Sequence, residues 1–334
     1  MRIRFRTGSR TTPAIAWSLF AWIVLIPSIA CGPAKTNPDD PSISSLPTTS
    51  TVVVPQPSSP EWTVTGEDLN IVLATPDLGV GEQRFALVLS DQQGLIKFPV
   101  VELTSYRYEN GYDSDNEGPV ETMLARFAEF PFRTRGIHVT TFSFDTPGNW
   151  GVKVHVPRTD GSTASAEVRF SVAEHSRSIA VGEPAPPSKN RTLSDVKSAS
   201  ELTTGSIIDE SLYETTIADA IHRQRPFVVV FASPAFCTNA VCGPQVEVAS
   251  ALREKYGDKA DFIHVDLYEN PQEIQGDLAS AIKSPLLSEW GLTSQEWTYV
   301  VSANGKVTAR FENFVGEDEL EQAIKVAIEN AHNA

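Results

Sequence analysis

Phe227-Val-Val-Val-Phe231-Ala-Ser-Pro-Ala-Phe-Cys237-Thr-Asn-Ala-Val-Cys242-Gly-Pro244 carries the two closely spaced cysteines of this chain. Its first five residues are a continuous apolar run of strand length. From Gln245 to Tyr256 the pattern turns helical. A strand feeding a helix whose start carries a thiol suits thiol–disulfide chemistry. Free N–H groups and the positive end of the helix dipole favour a thiolate there. Cys237 is therefore the expected nucleophile. Cys242, read as lying more than a turn inside the helix, is the expected resolving thiol. The helix is expected to break near Pro244, and Phe236, Trp297 and Pro244 are expected to flank the thiols as apolar walls.

Geometry restricts how the two cysteines can sit. Residues five apart on a helix lie about 8.7 Å apart between Cα atoms. A disulfide needs roughly 4.4–6.8 Å. So Cys237 must precede the helix, or the first turn must unwind on oxidation. A loop this short gains little entropy from cross-linking, which favours redox work over a structural role.

The third cysteine, Cys31, has a different setting. Arg2, Arg4, Arg6 and Arg10 form a basic start, Ala14 to Ile26 is apolar, and Ser28-Ile29-Ala30-Cys31 closes the segment. The apolar part is short for a membrane span. The pattern resembles a bacterial lipoprotein signal, with Ser28 where Leu is usual. That resemblance implies cleavage after residue 30, acylation of Cys31 (palmitate among the acyl groups) and a place on the extracytoplasmic face of the cell membrane. An ordinary cleaved signal peptide and an uncleaved anchor are the alternatives.

Removing residues 1–30, which carry four arginines and no acid, takes the formal charge from −15 to −19. Such a surface excludes nucleic acid as a partner. Residues 31–61 are dense in Pro, Ser and Thr and read as a disordered tether. Residues 62–173 show short, mostly alternating runs such as Phe85–Leu89 and Ala166–Val172, with turn signals at Pro147-Gly148 and Asp160-Gly161. They predict an all-β, immunoglobulin-like sandwich. Residues 110–135 are the least regular, with a short helix expected over Thr122 to Phe130. Asp113, Asp115 and Glu117 before Gly118 alternate like the start of a calcium loop, but Leu124 stands where the closing acid belongs. They read as a solvated acidic loop. His138 and His155 read as ordinary strand histidines. No metal and no cofactor are expected.

Residues 174–200 form a connector, and the last domain, 201–334 with a lead-in from 181, alternates element types. Leu212–Gln224 reads as helix and Pro226–Phe231 as strand. A helix over Cys242–Tyr256, broken near Pro244, is followed by a strand over Ala260–Leu267. A hairpin turning at Asn304-Gly305 and a closing helix over Asp318–Ala331 complete it. Strand–helix–strand followed by hairpin–helix predicts an α/β domain. Val181-Gly-Glu-Pro-Ala-Pro186 is similar to the lead-in of thioredoxin-like lipoproteins of the ResA and TlpA type and of peroxiredoxins. With the element order, residues 182–332 resemble a thioredoxin-fold domain. The resemblance implies that Cys237 attacks, Cys242 resolves, and exported thiol or disulfide proteins are the partners.

Three departures accompany that resemblance. The spacing is Cys-x4-Cys rather than Cys-x2-Cys. Trp297 stands at the family's cis-proline, and Val230 at its buried acid, so a proton acceptor is missing. Peroxiredoxins of the bacterioferritin-comigratory type share Cys-x4-Cys, but Pro234 and Glu296 occupy the places of their peroxide-binding Thr and Arg. A Sco-like copper site would need Cys-x3-Cys, and His264 is expected to point inward. Thiol–disulfide exchange, a non-enzymatic binding lipoprotein with a structural disulfide, and a thiol peroxidase all stay open at this point.

Overall fold

The computed structural model describes residues 63–64, 68–112, 116–131, 135–237 and 241–332. The signal, Cys31, the tether through residue 61, Asp113 and Asp115 lie outside them. Among the described residues no helix is long and apolar enough to cross a membrane.

The β-rich region contains β1 (Thr63–Val64), β2 (Asn70–Leu73), β3 (Gly81–Asp91), β4 (Gly94–Leu95), β5 (Val100–Tyr108), β6 (Pro119–Glu129), β7 (Gly136–Phe144), β8 (Gly148–Pro157) and β9 (Thr163–Val172). They form one antiparallel sheet in the order β1-β2-β3-β7-β6-β5-β8-β9, with β4 on β3. The sheet curls until β9 lies against β1 and β2. There Val80 N–H donates to Ala173 O at 3.0 Å, and Ala173 N–H to Leu78 O at 3.0 Å. The expected sandwich of two packed sheets is thus replaced by one nearly closed sheet. Alternating strands bury one face in either architecture, so the pattern does not separate them.

Aromatic rings fill the inside. Phe85 and Phe142 meet edge to face at 5.3 Å, and Phe144 and Trp150 at 5.0 Å. Such pairs each contribute about 0.5–1.5 kcal/mol beyond their buried area. The helix expected over Thr122–Phe130 is instead β6, which pairs with β5 and β7. Its burial alternates, with Ala125 buried and Leu124 62% exposed. Ladder partners on both sides decide the matter against local helical spacing.

The α/β region holds α1 (Ile217–His222), β10 (Phe227–Phe231), α2 (Cys242–Tyr256), β11 (Asp261–Val265), α3 (Pro271–Ile274), α4 (Leu286–Glu289), β12 (Trp297–Val301), β13 (Val307–Glu312) and α5 (Glu317–His332). The expected helix over 212–224 is split. Glu210–Tyr213 is a 3-10 turn, and α1 starts afresh where the Thr216 side chain accepts from Asp219 N–H. The sheet order is β11-β10-β12-β13, with β10 and β11 parallel and the other pairs antiparallel. This is the order that strand–helix–strand plus hairpin predicts. All five residues of β10 are buried, so β10 is covered on both faces. The lead-in docks on the hairpin, where Ala185 N–H donates to Gly305 O at 2.8 Å. Gly305 has φ +77°, the left-handed conformation that this turn requires.

The two regions share a core. Along β3, Phe85 and Leu87 face the β interior while Ala86 faces the α/β region. Phe130 packs on Phe314 with ring centroids 4.3 Å apart, in one cluster with Cys242, Val248 and Leu320. Charges close the seam. Arg84 donates to Glu319 at 2.8 Å and to the Phe314 carbonyl at 2.8 Å. Arg310 reaches Asp77 O at 3.0 Å, Gln83 Oε1 at 2.9 Å and Ser178 Oγ at 2.5 Å.

Candidate functional site

The chain leaves β10 at Phe231, passes the buried Ala232 and Ser233, and turns where Phe236 N–H donates to Ser233 O at 3.1 Å. Cys237 follows, half-buried, and is disulfide-bonded to Cys242 with Cα atoms 5.9 Å apart. That separation lies within the range a disulfide requires. It is reached because only one of the two cysteines is helical. Cys242 is the first residue of α2, not a residue more than a turn inside it, and Cys237 precedes the helix. The dipole therefore acts on Cys242 directly.

Pro244 does not break the helix. It is the third residue of α2, where a missing N–H removes no intrahelical bond, and Gln245 N–H makes the first one to Val241 O at 2.9 Å.

Exposure separates the two sulfurs' surroundings. Cys242 is fully buried, and its Sγ lies 3.5 Å from the Gln295 carbonyl oxygen. An oxidised sulfur has no hydrogen to donate. Reduction gives the Cys242 thiol a ready acceptor there.

Phe236 stays beside the cysteines, half-buried and edge-on to Tyr268 at 6.2 Å. Trp297 does not flank them. The β12 pleat sends Trp297, Tyr299 and Val301 into a cluster with Phe231 and Trp290, while Val300 joins the cluster that holds Cys242. Trp297 stacks on Tyr299 at 5.9 Å, on the sheet face away from α2.

Val230 is buried on β10, and two buried acids stand on segments joined to those that hold the cysteines. Asp266, just past β11, accepts from Thr204 N–H at 2.7 Å, from Thr204 Oγ1 at 3.0 Å and from Tyr268 N–H at 3.2 Å. Thr204 Oγ1 in turn lies 3.0 Å from Ser233 Oγ and accepts from Ala235 N–H at 3.2 Å. Asp266 is therefore tied to the backbone two residues before Cys237. Burial pushes its carboxyl up to about 6, against the opposing bonds from Thr204.

Glu296 follows Gln295, whose carbonyl touches Cys242. It is wholly buried, and burial raises its carboxyl well above the ordinary range. Oε1 accepts from Thr298 Oγ1 at 3.2 Å, and Oε2 has no hydrogen-bond partner among the described residues. Nothing local in the sequence marked either acid. The Asp266 network spans 62 residues of sequence.

His264 does point inward. Its Nε2 lies 2.9 Å from Ala232 O and its Nδ1 2.6 Å from the Tyr213 hydroxyl. The carbonyl only accepts, so Nε2 carries the proton and Nδ1 accepts from Tyr213. Burial depresses its pKa to about 4. His138 is likewise buried, with Nε2 2.8 Å from Phe98 O.

No family model matches this chain, and no curated protein matches it. By strand order the α/β region is thioredoxin-like. Solved structures similar to part of the chain include a Chlorobium tepidum chain that bears the name DsbE (16% identity, 45% of this chain and 99% of that one, TM-score 0.33). Another is a thiol:disulfide interchange protein of the thioredoxin family from Chlorobium tepidum TLS (12%, 34% and 86%, 0.28). A third is the exposed lipoprotein thioredoxin Etrx1 of Streptococcus pneumoniae (14%, 31% and 86%, 0.24). At these scores the likenesses carry no argument beyond the strand order itself.

Proposed function

We propose that this chain is an extracytoplasmic thiol–disulfide oxidoreductase, anchored to the cell membrane through lipidated Cys31. Exported thiol or disulfide proteins are its partners. One observation carries the reading: a disulfide at a helix start that joins a half-buried sulfur to a fully buried one. An incoming thiolate attacks Cys237 Sγ. The bond to Cys242 breaks, and Cys242 leaves as a thiolate at the first turn of α2, where free N–H groups stabilise it. A second thiol of the partner then attacks the mixed disulfide and releases Cys237. The partner ends oxidised and both cysteines reduced, and the reverse sequence reduces a partner's disulfide.

Equilibration with thiol–disulfide buffers tests this. The reading expects a potential between about −120 and −270 mV. A value below about −300 mV identifies a structural bond instead. Cys242→Ser should trap mixed disulfides on Cys237 with exported proteins, and Cys237→Ser should trap none.

A further inference from the structure

A groove of about 290 Å³ is formed by the segment after Thr204, by the loop before Cys237 and by the first turns of α2. Ala235 and Gly243 line it, and they lie two residues before Cys237 and one after Cys242. Its walls are mainly apolar, from Pro234, Ala235, Val246 and Ile207. Ile207 is 86% exposed, the largest exposure among the exposed large hydrophobic residues. Above Gly243 the space is open, because a Cβ placed there meets nothing within 4 Å. The walls are fixed in place. Ala235 N–H donates to Thr204 Oγ1, and a Cβ on Gly205 would lie 3.5 Å from Pro234 Cγ.

The rim carries one sign of charge. Asp209 and Glu247 line the groove, and among the described residues no lysine, arginine or histidine does. Burial works against the Asp209 charge, but bonds from Ser211 and Ser250, with Arg253 outside the lining adding a favourable charge, outweigh it and hold the carboxyl below its ordinary value. An open apolar channel between two carboxylates fits an extended peptide with an apolar side chain flanked by cations. It disfavours anionic thiols.

We infer that this groove docks the polypeptide segment next to the partner's reacting cysteine, and that it selects apolar segments flanked by Lys or Arg. The inference rests on the exchange reading above, and it goes further by naming the substrate class and the surface that chooses it. The cysteine-bearing peptide lies along Ile207 and Val246 and presents its sulfur to Cys237.

The test uses the full oxidised chain and two reduced peptides, Lys-Leu-Cys-Leu-Lys and Glu-Leu-Cys-Leu-Glu, with dithiothreitol as the reference thiol. The Lys peptide should exchange about tenfold faster than the Glu peptide at low salt, with the preference fading as salt is added. Gly243→Leu should fill the channel and lower the ratio of peptide rate to dithiothreitol rate about tenfold. Glu247→Lys should remove most of the Lys preference. Equal rates for the two peptides, or an unchanged ratio in Gly243→Leu, overturn the inference. Reaction with neither dithiothreitol nor peptide overturns the exchange reading instead. The groove is then still judged by anisotropy of a labelled Lys-Leu-Ser-Leu-Lys peptide: binding weakened by Gly243→Leu upholds it, and no binding ends it.

Discussion

The two regions of this protein bury their polar groups in opposite ways. Inside the β-rich region lie Phe85, Phe142, Phe144, Trp150 and aliphatic side chains, and its buried polar groups have partners: Trp150 Nε1 finds the Thr146 carbonyl at 3.0 Å, His138 Nε2 lies 2.8 Å from Phe98 O, and Ser105 Oγ donates to Glu121 O at 3.3 Å. The α/β region instead buries Asp266, Glu296, Glu312, His264 and Gln245. Glu296 Oε2, Gln245 Nε2, Ser284 Oγ and Trp297 Nε1 lack hydrogen-bond partners among the described residues. One region is built as a scaffold. The other carries desolvated polar groups of the kind that clusters where chemistry is done.

The sharpest attack on that contrast is at the seam. Arg310→Ala removes the cation facing Asp77, whose side chain is 7% exposed. Leaving such a charge unpaired costs about 3–5 kcal/mol. Urea unfolding should shift as a single transition, because the regions share the cluster that holds Phe130 and Phe314. Two separate transitions, with only one moved, would show independent domains. Phe85→Ala should cost about 3–4 kcal/mol by leaving a cavity among rings, with little effect on the disulfide potential. A large change in potential would break the division between scaffold and site.

A pH experiment addresses the buried acids. Asp266 is raised to about 6 by burial, above its ordinary value near 3.8. The folded state therefore holds this proton more tightly than the unfolded chain. The stability it contributes is complete below pH 3.8 and is lost as pH rises through about 6. The size is about 3 kcal/mol at roughly 1.4 kcal/mol per pH unit. Asp266→Asn should gain on the parent protein across that window. A stability difference that stays flat from pH 4 to 7 refutes the assignment. Burial likewise holds Glu312 up to about 7, so the parent's own loss should extend towards neutrality.

The smallest effect belongs to β6. Leu124→Thr should change stability by no more than about 0.5 kcal/mol, since Leu124 faces solvent on a strand and Thr suits strands.

The sequence made the site's frame legible and hid its interior. Phe227–Phe231 reads directly, because a continuous apolar run bounded by Ser233 and Pro234 has few alternatives. The disulfide distance and the Cys242–Tyr256 bounds of the helix followed from the sequence, but the place of Cys242 in its first turn, rather than more than a turn inside, did not. That place depends on Val241 acting as the cap. Trp297, expected ahead of the hairpin and beside the thiols, is instead the first residue of β12, where pairing with Phe231 sets the pleat parity that turns it to the other face. Asp266 and Glu296 were illegible as buried acids, since distant elements desolvate them. Closure of the β sheet was illegible for a related reason, because strand alternation does not say where the last strand returns.

Gln245, in the first turn of α2, accepts a hydrogen bond from Val315 N–H at 2.9 Å, and Val315 belongs to the cluster that contains Phe130. The turn that carries Cys242 is thereby joined to the surface of the β-rich region through one short chain of contacts. Thermodynamic reciprocity then applies. Any partner that grips the β-rich region more tightly when the disulfide is open must favour the open form by the same factor. The scaffold would then set the poise of the cysteine pair without touching either sulfur.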